Sequence, residues 1–597
     1  MSTVATKTSL KGGEFLIKET SYQDVFIPEE WTEEQRMIAQ TCHDFIAQEV
    51  WPILDRIDNK EEGLMEKILD KAAELGLLGL NIPEQYGGFE KDFLTGMLST
   101  EAIGSGHSFA VAISAHTGIG TLPILYYGNE AQKAKYLPKL ASGEWKACYC
   151  LTEPGSGSDA NSGKTKAVLS PDGKHYLING QKMWITNGGF ANIMIVFAKI
   201  DNDKNLSAFI VEKDFGGITL NPEEHKMGIK GSSTRQIFFN DCKVPVENLL
   251  SERENGFKIA VNILNIGRIK LAAAALGASK SVISKDVEYA GQRVQFGQPI
   301  GKYGAIQHKM AEQAIRSFAC ESALYRVSRN IEDAIENLQE GGMEKGKAIL
   351  KGIEQFAVEA AIMKVFGSEV LNYVVDEGVQ IYGGMGFSSD APMERSYRDA
   401  RINRIFEGTN EINRMLTVDM MIRRAMKGEL DLMGPATKIA GELMSIPDFG
   451  EPDTALFAAE KKYIKNFKKA ALMVAGSAVQ KLMMGLSSEQ EIVMNIADML
   501  IETYVSESLQ LRVEKLVSMK GEAECALLID IMRTWLFDSA DRINKAGKDA
   551  ITSFAEGDEQ RIMLSGLKRF TKTDAFNTKN ARRRIADKML AEGKYCF

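Results

Sequence analysis

The spacing of apolar and polar residues divides the chain into helical and strand-forming regions. From about residue 30 to 146, apolar side chains recur at the interval of an amphipathic helix, as in Met37, Ile38 and Phe45. Thr32 stands before this run with Gln35 three positions later, a capping-box pattern that satisfies free amides at a helix start. Residues 30–146 are therefore predicted to form an N-terminal helical domain.

The region from about 147 to 255 has short β-rich runs in place of helical periodicity. They occupy residues 176–178, 193–197, 208–211 and 236–239, separated by turn-forming sequences such as Pro171-Asp172-Gly173. No helical pattern intervenes, which argues against a parallel βαβ sheet. The runs predict a middle antiparallel β-barrel-like domain, residues 147–255.

Helical spacing returns at Gly256 and continues to the end of the chain. A long, alanine-rich helix is predicted over residues 266–290, within a helical bundle of residues 256–430. A second set of helical stripes predicts an additional C-terminal helical domain, residues 431–597. The expected fold class is therefore α+β, mainly α, with a strand-rich domain between helical ones.

Composition narrows the class of protein. The 597 residues carry a formal net charge of −8, which argues against nucleic-acid binding because phosphate recognition needs concentrated positive charge. The seven cysteines form no C-x-x-C pair and no H-E-x-x-H occurs, so neither a metal site nor a disulfide framework is expected. No signal-peptide pattern and no membrane-spanning apolar run of about 20 residues is evident. These features predict a protein of the cytoplasm.

One glycine-rich motif has two interpretations. Residues 155–160 read Gly-Ser-Gly-Ser-Asp-Ala and fit the G-x-G-x-x-A dinucleotide fingerprint, which requires a strand before it and a helix after it. Pro154 precedes the motif and no helical periodicity follows it, so the Rossmann interpretation is rejected. On composition alone a glycine-rich turn is favoured.

Four further motifs give this turn another meaning. The set is residues 150–159 (CLTEPGSGSD), 182–187 (KMWITN), 293–297 (RVQFG), 380–387 (QIYGGMGF) and 404–412 (RIFEGTNEI). In this order it resembles the acyl-CoA dehydrogenase flavoenzymes over roughly residues 30–425. Within that family, the very-long-chain branch is the most similar. Three features carry this likeness: Gly304 within YGAIQ, the segment KVFGSE at 364–369 and the additional C-terminal domain.

Glu407 is the candidate catalytic base. It lies between Phe406 and Gly408, and an apolar setting would raise the pKa of its carboxyl group towards that of a useful base, although most glutamates are simply solvated. The resemblance implies that Glu407 removes the pro-R α-proton of an acyl-CoA thioester and that the β-hydride passes to FAD. Some relatives carry the base on the preceding helix, where this chain has Gly267, so Glu407 has no rival.

The resemblance also assigns contacts to FAD and to the acyl-CoA. The implied cofactor contacts are Tyr149, Thr152, Gly157, Ser158, Trp184, Thr186, Arg293, Phe296, Gln380, Gly383, Gly384, Thr409, Asn410 and Glu411. The implied substrate contacts are Ser158, Asn265, Arg268 and Gly408. Many relatives have aspartate where this chain has Asn265, which leaves its contact with CoA open. The motifs at 293–297 and 380–387 resemble cross-subunit contacts, which imply a homo-oligomer that is at least a dimer.

Several interpretations stay open. The small residues at 104–120 either form a deep slot for acyl methylenes or allow tight helix packing. The lysines before the apolar run at 470–486 indicate either membrane-surface contact through residues 461–486 or a buried bundle helix with a solvated basic end.

The predicted reaction is α,β-dehydrogenation of long or very long acyl-CoA to trans-2-enoyl-CoA in fatty acid β-oxidation. Electrons are expected to leave to an electron-transfer flavoprotein. The rivals are an acyl-CoA oxidase, which passes electrons to oxygen, and a non-catalytic scaffold protein that retained the flavin fold.

Overall fold

The computed structural model describes residues 10–443 and 455–597, and it confirms a strand-rich domain between helical ones. The N-terminal helices are α1 (Glu33–Phe45), α2 (Leu54–Asp58), α3 (Leu64–Glu74), α4 (Phe93–Ile103), α5 (Ser108–Ser114), α6 (Leu122–Tyr127) and α7 (Glu130–Ala141). The predicted capping box forms, since the Gln35 amide donates to the Thr32 hydroxyl at 3.2 Å and the Thr32 amide donates to the Gln35 side chain at 3.1 Å.

The middle domain contains the predicted strands at greater length. They are β1 (Ala147–Cys150), β2 (Lys166–Leu169), β3 (His175–Thr186), β4 (Ile193–Ile200), β5 (Ser207–Glu212), β6 (Ile218–Leu220), β7 (Thr234–Pro245) and β8 (Leu249–Leu250). The sheet follows the order β6-β7-β3-β2-β4-β5-β8, with β1 paired to β4. The pairings of β4 with β1 and with β2 are parallel, so the sheet is mixed where a fully antiparallel one was expected.

The remaining helices fill two further domains. After α8 (Gly256–Gln292) comes a hairpin of β9 (Val294–Gln295) and β10 (Gln298–Pro299). The helices that follow are α9 (Gly304–Glu340), α10 (Lys345–Gln355), α11 (Ala357–Tyr382), α12 (Pro392–Ala400), α13 (Asn410–Met426), α14 (Met433–Leu443), α15 (Ala458–Leu482), α16 (Gln490–Lys520), α17 (Ala526–Phe554), α18 (Gly557–Phe570) and α19 (Thr578–Glu592). α8 begins ten residues before the predicted start, because buried Ile259, Ala260 and Ile263 continue the same apolar face.

Residues before the predicted first domain tie the two ends of the chain together. The ring of Phe15 packs edge-on against Tyr504 of α16, with centroids 4.9 Å apart. The Gly13 amide donates to Glu359 of α11 at 2.7 Å. The additional C-terminal domain therefore packs against the bundle through an N-terminal segment that sequence spacing did not assign.

The basic cluster of α15 is paired within the protein. Lys461 lies 2.6 Å from Glu514, and Lys469 lies 2.7 Å from Glu442. Lys468 is buried and contacts Glu507. These contacts favour the interpretation of α15 as a bundle helix over that of a free basic face.

Among residues 10–443 and 455–597, three helical stretches are apolar and long enough to cross a membrane, contrary to the expectation from sequence. They are Ser108–Tyr127, Gly256–Gln292 and Ala458–Ser488. The apolar windows of the first two are 78% and 67% buried inside the protein, whereas that of the third is 39% buried. The third contains exposed Met483 and Met484 near its C-terminal end.

Candidate active site

Glu407 lies at one end of a cavity between α5, α8, α12 and the end of β3. Small side chains line one wall of this cavity: Gly104, Ala110, Ser114, Ala115 and Gly118. Others from the same stretch pack tightly instead, since a Cβ on Gly120 would meet Ala147 at 2.7 Å. Residues 104–120 therefore both line a cavity and pack tightly, and the use of the cavity for acyl methylenes stays a prediction. A π-helical segment, Ala115–Gly120, continues α5 along the cavity.

The backbone at Glu407 is held in an unusual conformation. Glu407 has a φ of +60°, which costs a non-glycine residue free energy, and Gly408 follows at +80°. Asn413 donates to the Gly408 carbonyl at 2.8 Å and to the Glu407 carbonyl at 3.3 Å. Lys364 donates to the Gly408 carbonyl at 2.6 Å. These bonds fix the strained turn and thereby aim the carboxyl group into the cavity.

The Glu407 carboxyl group has the electrostatic setting of a base. Its Oε2 atom is buried and accepts no hydrogen bond from the described residues. Burial raises the pKa of Glu407 to about 7, and the nearby cations Arg268 and Lys364 hold it below what burial alone would give. A carboxyl group with a pKa near neutrality can both accept and release a proton at physiological pH.

Gly267 of α8 leaves the space that this carboxyl group occupies. A Cβ at position 267 would lie 2.5 Å from Glu407 Oε2, closer than real Cβ contacts. The structure therefore supports the interpretation that the helix position used as a base in some relatives is vacated here in favour of Glu407.

Two donors flank the site. In the described part of the chain, no acceptor binds the backbone N–H of Glu407. Arg268 is buried; its Nη1 donates to Asn265 Oδ1 at 2.6 Å, and its Nε lies 3.5 Å from the Glu407 carbonyl. Asn265 thus orients Arg268, a role that aspartate would also serve. An unpaired N–H beside a base is suited to holding an oxygen that gains negative charge.

The end of β3 offers a setting that fits a flavin. Trp184 is half exposed, with a φ of +60°, at a register shift between β3 and β7. Thr186, two residues on, lines the Glu407 cavity. Tyr149 on β1 is buried, yet its hydroxyl has no partner among the described residues. A buried orphan hydroxyl, a half-exposed indole and an adjacent cavity fit a bound aromatic cofactor with polar edges.

A buried ion pair holds the glycine-rich loop against β3. Lys182 is fully buried and contacts Glu153 at 2.6 Å. Glu153 also accepts from the Lys164 and Thr165 amides at 2.6 and 3.1 Å. The Met183 amide donates to Thr152 O at 2.9 Å, so the loop and the strand before Trp184 form one unit. The glycine-rich motif is a turn with no helix of Rossmann type behind it, as predicted.

The residues implied as cross-subunit contacts lie away from this cavity. Phe296 in the β9–β10 hairpin is 96% exposed, and Arg293, Gln380, Gly383 and Gly384 are exposed as well. The stacked rings of Tyr289 and Tyr382, with centroids 3.9 Å apart, join the ends of α8 and α11 that carry them. Their role towards a neighbouring subunit stays a prediction.

Some of the other implied contact residues are exposed, whereas others already make hydrogen bonds within the protein. Gly157 and Ser158 are exposed on the glycine-rich loop. Thr409 caps α13 by accepting from the Ile412 amide at 3.3 Å, and Glu411 follows in its first turn. Asn410 is buried and accepts from Lys364 at 2.8 Å, so its side chain is already engaged within the protein.

Sequence reasoning gave no role to several residues that shape the site. Lys364, Lys182 and Glu153 entered only as members of the quoted motifs, the pairing of Lys182 with Glu153 was not foreseen, and Asn413 did not enter at all. A buried lysine one helix away from the base leaves no pattern in the sequence. Asn187, the last residue of KMWITN, is also buried and donates to the Ala112 carbonyl at 2.9 Å, which joins β3 to α5.

The helical, strand-rich and helical domains, with a carboxyl group of raised pKa at a cavity that Thr186 also lines, fit a flavin-dependent oxidoreductase. Models of the acyl-CoA dehydrogenase N-terminal, middle and C-terminal domains match residues 32–144, 148–242 and 254–422. A further C-terminal domain model of that name matches residues 466–569. The chain belongs to the acyl-CoA dehydrogenase family of FAD-dependent oxidoreductases.

Individual relatives agree with this assignment. A probable acyl-CoA dehydrogenase of Bacillus subtilis is 45% identical over 586 residues, 98% of each chain. The solved structure of an acyl-CoA dehydrogenase complexed with FAD from Bacillus anthracis superposes with a TM-score of 0.95 at 46% identity, covering 98% of this chain and all of that one. The human mitochondrial very long-chain specific acyl-CoA dehydrogenase is 46% identical over 358 residues, 57% of this chain and 51% of that protein.

Proposed function

We propose that this protein converts long or very long acyl-CoA to trans-2-enoyl-CoA, with Glu407 as the base. The observation that supports this most is the Glu407 carboxyl group: it lines an apolar cavity, has an unpaired oxygen and has a pKa raised to about 7. Such a group can remove a weakly acidic proton from carbon at neutral pH.

The protein's part in the reaction is to place and charge the reacting groups. The free N–H of Glu407 binds the thioester oxygen and stabilises the negative charge that develops as the α-proton leaves. Arg268 and Lys364 keep the base ionised for a useful fraction of the time, because both lower its pKa. Trp184, Thr186 and Tyr149 would hold the flavin. The chemistry supplied by bound FAD is acceptance of the β-hydride.

The length of the cavity supports a long acyl chain. Its lining continues along α8 from Gly267 to Lys285, a distance of about 27 Å at the rise of an α-helix. An extended chain advances about 1.25 Å per C–C bond, so about 20 bonds fit. Each buried methylene contributes about 0.8 kcal/mol, which favours long chains over short ones.

Anaerobic titration with acyl-CoAs of graded length tests this proposal. Hexadecanoyl-CoA should bleach the flavin absorbance of the holoenzyme, butanoyl-CoA should do so weakly, and Glu407→Gln should keep its yellow flavin unreduced. A matched control, Glu340→Gln, changes an exposed carboxylate at the end of α9 that lies outside the cavity lining. Bleaching of the Glu407→Gln holoenzyme, or none in wild type, would contradict the proposal.

Electron transfer to an electron-transfer flavoprotein is proposed over transfer to oxygen. Aerobic turnover should release little hydrogen peroxide and depend on the added flavoprotein. Peroxide equal to the enoyl-CoA formed would identify an oxidase, and an absence of both would favour the scaffold alternative.

Assembly and location remain proposals. A homodimer or larger oligomer is proposed from the exposed Phe296 and Gly383 regions, and sedimentation of the holoenzyme tests it. The cytoplasmic location is kept as a prediction. The α15 lysines are paired internally, so membrane contact is proposed through the exposed Met483–Met484 turn. Flotation with anionic vesicles tests this proposal: wild type should float with the vesicles, and the variant M483S/M484S should not.

A further inference from the structure

The cavity that begins at Glu407 reaches a cationic side chain. Lys285 lines it eighteen residues after Gly267 on α8. Between them, the α8 lining is mostly aliphatic and includes Leu271, Ala274, Ala278 and Val282. A plain acyl chain ends in a methyl group, which gains nothing from an ammonium group at this depth. A partly desolvated cation is costly unless something pairs with it.

No ion pair neutralises Lys285 in the described part of the chain, although the charge of nearby Asp286 opposes the lowering of the Lys285 pKa that burial causes. Among residues 10–443 and 455–597, no carboxylate lies within 4.0 Å of its Nζ atom. Its contact is the face of Trp51, with Nζ 5.3 Å from the ring centroid. The Trp51 indole is itself fixed, since its Nε1–H donates to the Ser105 carbonyl at 3.1 Å.

The acidic groups near this end have contacts of their own, although the buried Oδ1 atom of Asp286 has no hydrogen-bond partner among the described residues. Asp286 accepts from Gln313 of α9 at 2.7 Å, and burial keeps the pKa of its carboxyl group well above its usual range. Asp399 lies 2.9 Å from His107 Nδ1 and also accepts from the Ile229 amide.

A second cation near this end, Arg395, already binds two carboxylates of its own. Arg395 is held by Asp55 and by Asp58, whose Oδ2 atom lies 2.9 Å from Arg395 Nε. Lys285 is therefore a cation that lines the cavity eighteen residues after Gly267 on α8 and has no carboxylate within 4.0 Å among the described residues.

We propose that Lys285 binds the terminal carboxylate of a long α,ω-dicarboxylic acyl-CoA, so that ω-carboxylated chains are substrates. This inference rests on the proposed dehydrogenation and names a substrate class for the same cavity. A charged hydrogen bond between ammonium and carboxylate is among the stronger non-covalent contacts available to a ligand.

The geometry sets the length of that substrate. Helix side chains tilt towards the N-terminus, so the lysine reaches back towards Glu407 by up to about 6 Å. The terminal carboxylate then lies about 21 to 27 Å from the reacting carbons, or about 17 to 21 bonds. Lys270 lines the same cavity three residues after Gly267, where only a much shorter diacid would end.

Binding to the Glu407→Gln holoenzyme, which cannot turn over, tests the proposal by calorimetry. The probes are the mono-CoA thioesters of eicosanedioic and docosanedioic acids, which place 18 and 20 bonds between C2 and the terminal carboxyl carbon, each against its plain acyl-CoA. The quantity compared is the affinity for the dicarboxylic thioester divided by the affinity for the plain acyl-CoA of the same length. We expect this ratio to fall at least about tenfold in Lys285→Met, to persist in Lys285→Arg, and to be unchanged in the matched surface variant Lys243→Met.

Two results would overturn the proposal. One is an unchanged ratio in Lys285→Met. The other is a carboxylate preference that peaks at hexanedioyl-CoA and is lost in Lys270→Met. Bleaching of wild-type flavin by hexadecanoyl-CoA is measured in parallel, so a failure of the proposed dehydrogenation is seen separately from a failure of this assignment.

Discussion

Replacing Gly267 with alanine should displace the catalytic carboxyl group and leave the fold intact. The new Cβ would lie 2.5 Å from Glu407 Oε2 and 2.8 Å from Glu407 Cδ, where ordinary contacts begin at 3.4 Å. The carboxyl group is the free end of a side chain and must retreat by about 0.9 Å. Misplacing a reacting group by about 1 Å costs on the order of 100-fold in rate.

The fold should gain stability from the same change. Position 267 is in the interior of α8, where alanine is favoured over glycine by up to about 1 kcal/mol. The assay is kcat/KM with hexadecanoyl-CoA, together with flavin content and Tm. We expect kcat/KM to fall about 100-fold while flavin content is kept and Tm is equal or higher.

Gly291→Ala is the matched control. It makes the same substitution on the same helix, and in the described part of the chain its Cβ would meet only Leu590 Cδ2, at 3.9 Å. Its kcat/KM should equal that of wild type. Full activity in Gly267→Ala, or a loss of activity that follows a loss of flavin or a fall in Tm, would refute the reasoning.

Three further predictions concern the same groups. The pKa of Glu407 is about 7 in the folded chain against an ordinary 4.5, so the stability that its protonated form contributes is present below about pH 4.5 and lost as the pH rises through 7. Glu407→Gln should therefore increase the free energy of unfolding by up to about 3 kcal/mol at pH 8, but not at pH 4. Calorimetry should show this as a higher Tm at pH 8 and an unchanged Tm at pH 4. Lys364→Met removes a cation that lowers the Glu407 pKa, so the acidic limb of the kcat/KM profile should move to higher pH, less so in Lys364→Arg, and an unmoved limb would contradict this. Lys182→Met leaves the buried Glu153 charge unpaired, which costs about 3–5 kcal/mol, so FAD should be lost on gel filtration more readily than from Lys182→Arg; equal retention would contradict it.

Local patterns predicted the elements better than their pairing. The Thr32–Gln35 capping box and the helix around residues 266–290 follow from contacts a few residues apart, and the structure confirms both. The parallel pairing of β4 with β1 and β2 depends on strands distant in sequence, so the short runs could not reveal it. Likewise, the packing of Phe15 against Tyr504 joins opposite ends of the chain.

The candidate site likewise has residues that sequence motifs could single out and residues that they could not. Glu407 could be singled out because an ordered set of motifs surrounds it. The groups that hold it could not, because Lys364 lies on another helix and Gly267 matters only through the space it leaves. The α15 lysines show the reverse case: a basic cluster in sequence is largely paired with distant glutamates in the fold.

Hydrogen exchange at the α-carbon tests the central claim most directly. An acyl-CoA with sulfur at position 3 has no β-hydrogen to lose, so incubation with holoenzyme in D₂O isolates proton removal from oxidation. We predict that wild type exchanges the C2 hydrogen, at a rate that rises with pH through about 7, and that Glu407→Gln does not. Equal exchange by both proteins would show that another group removes the proton.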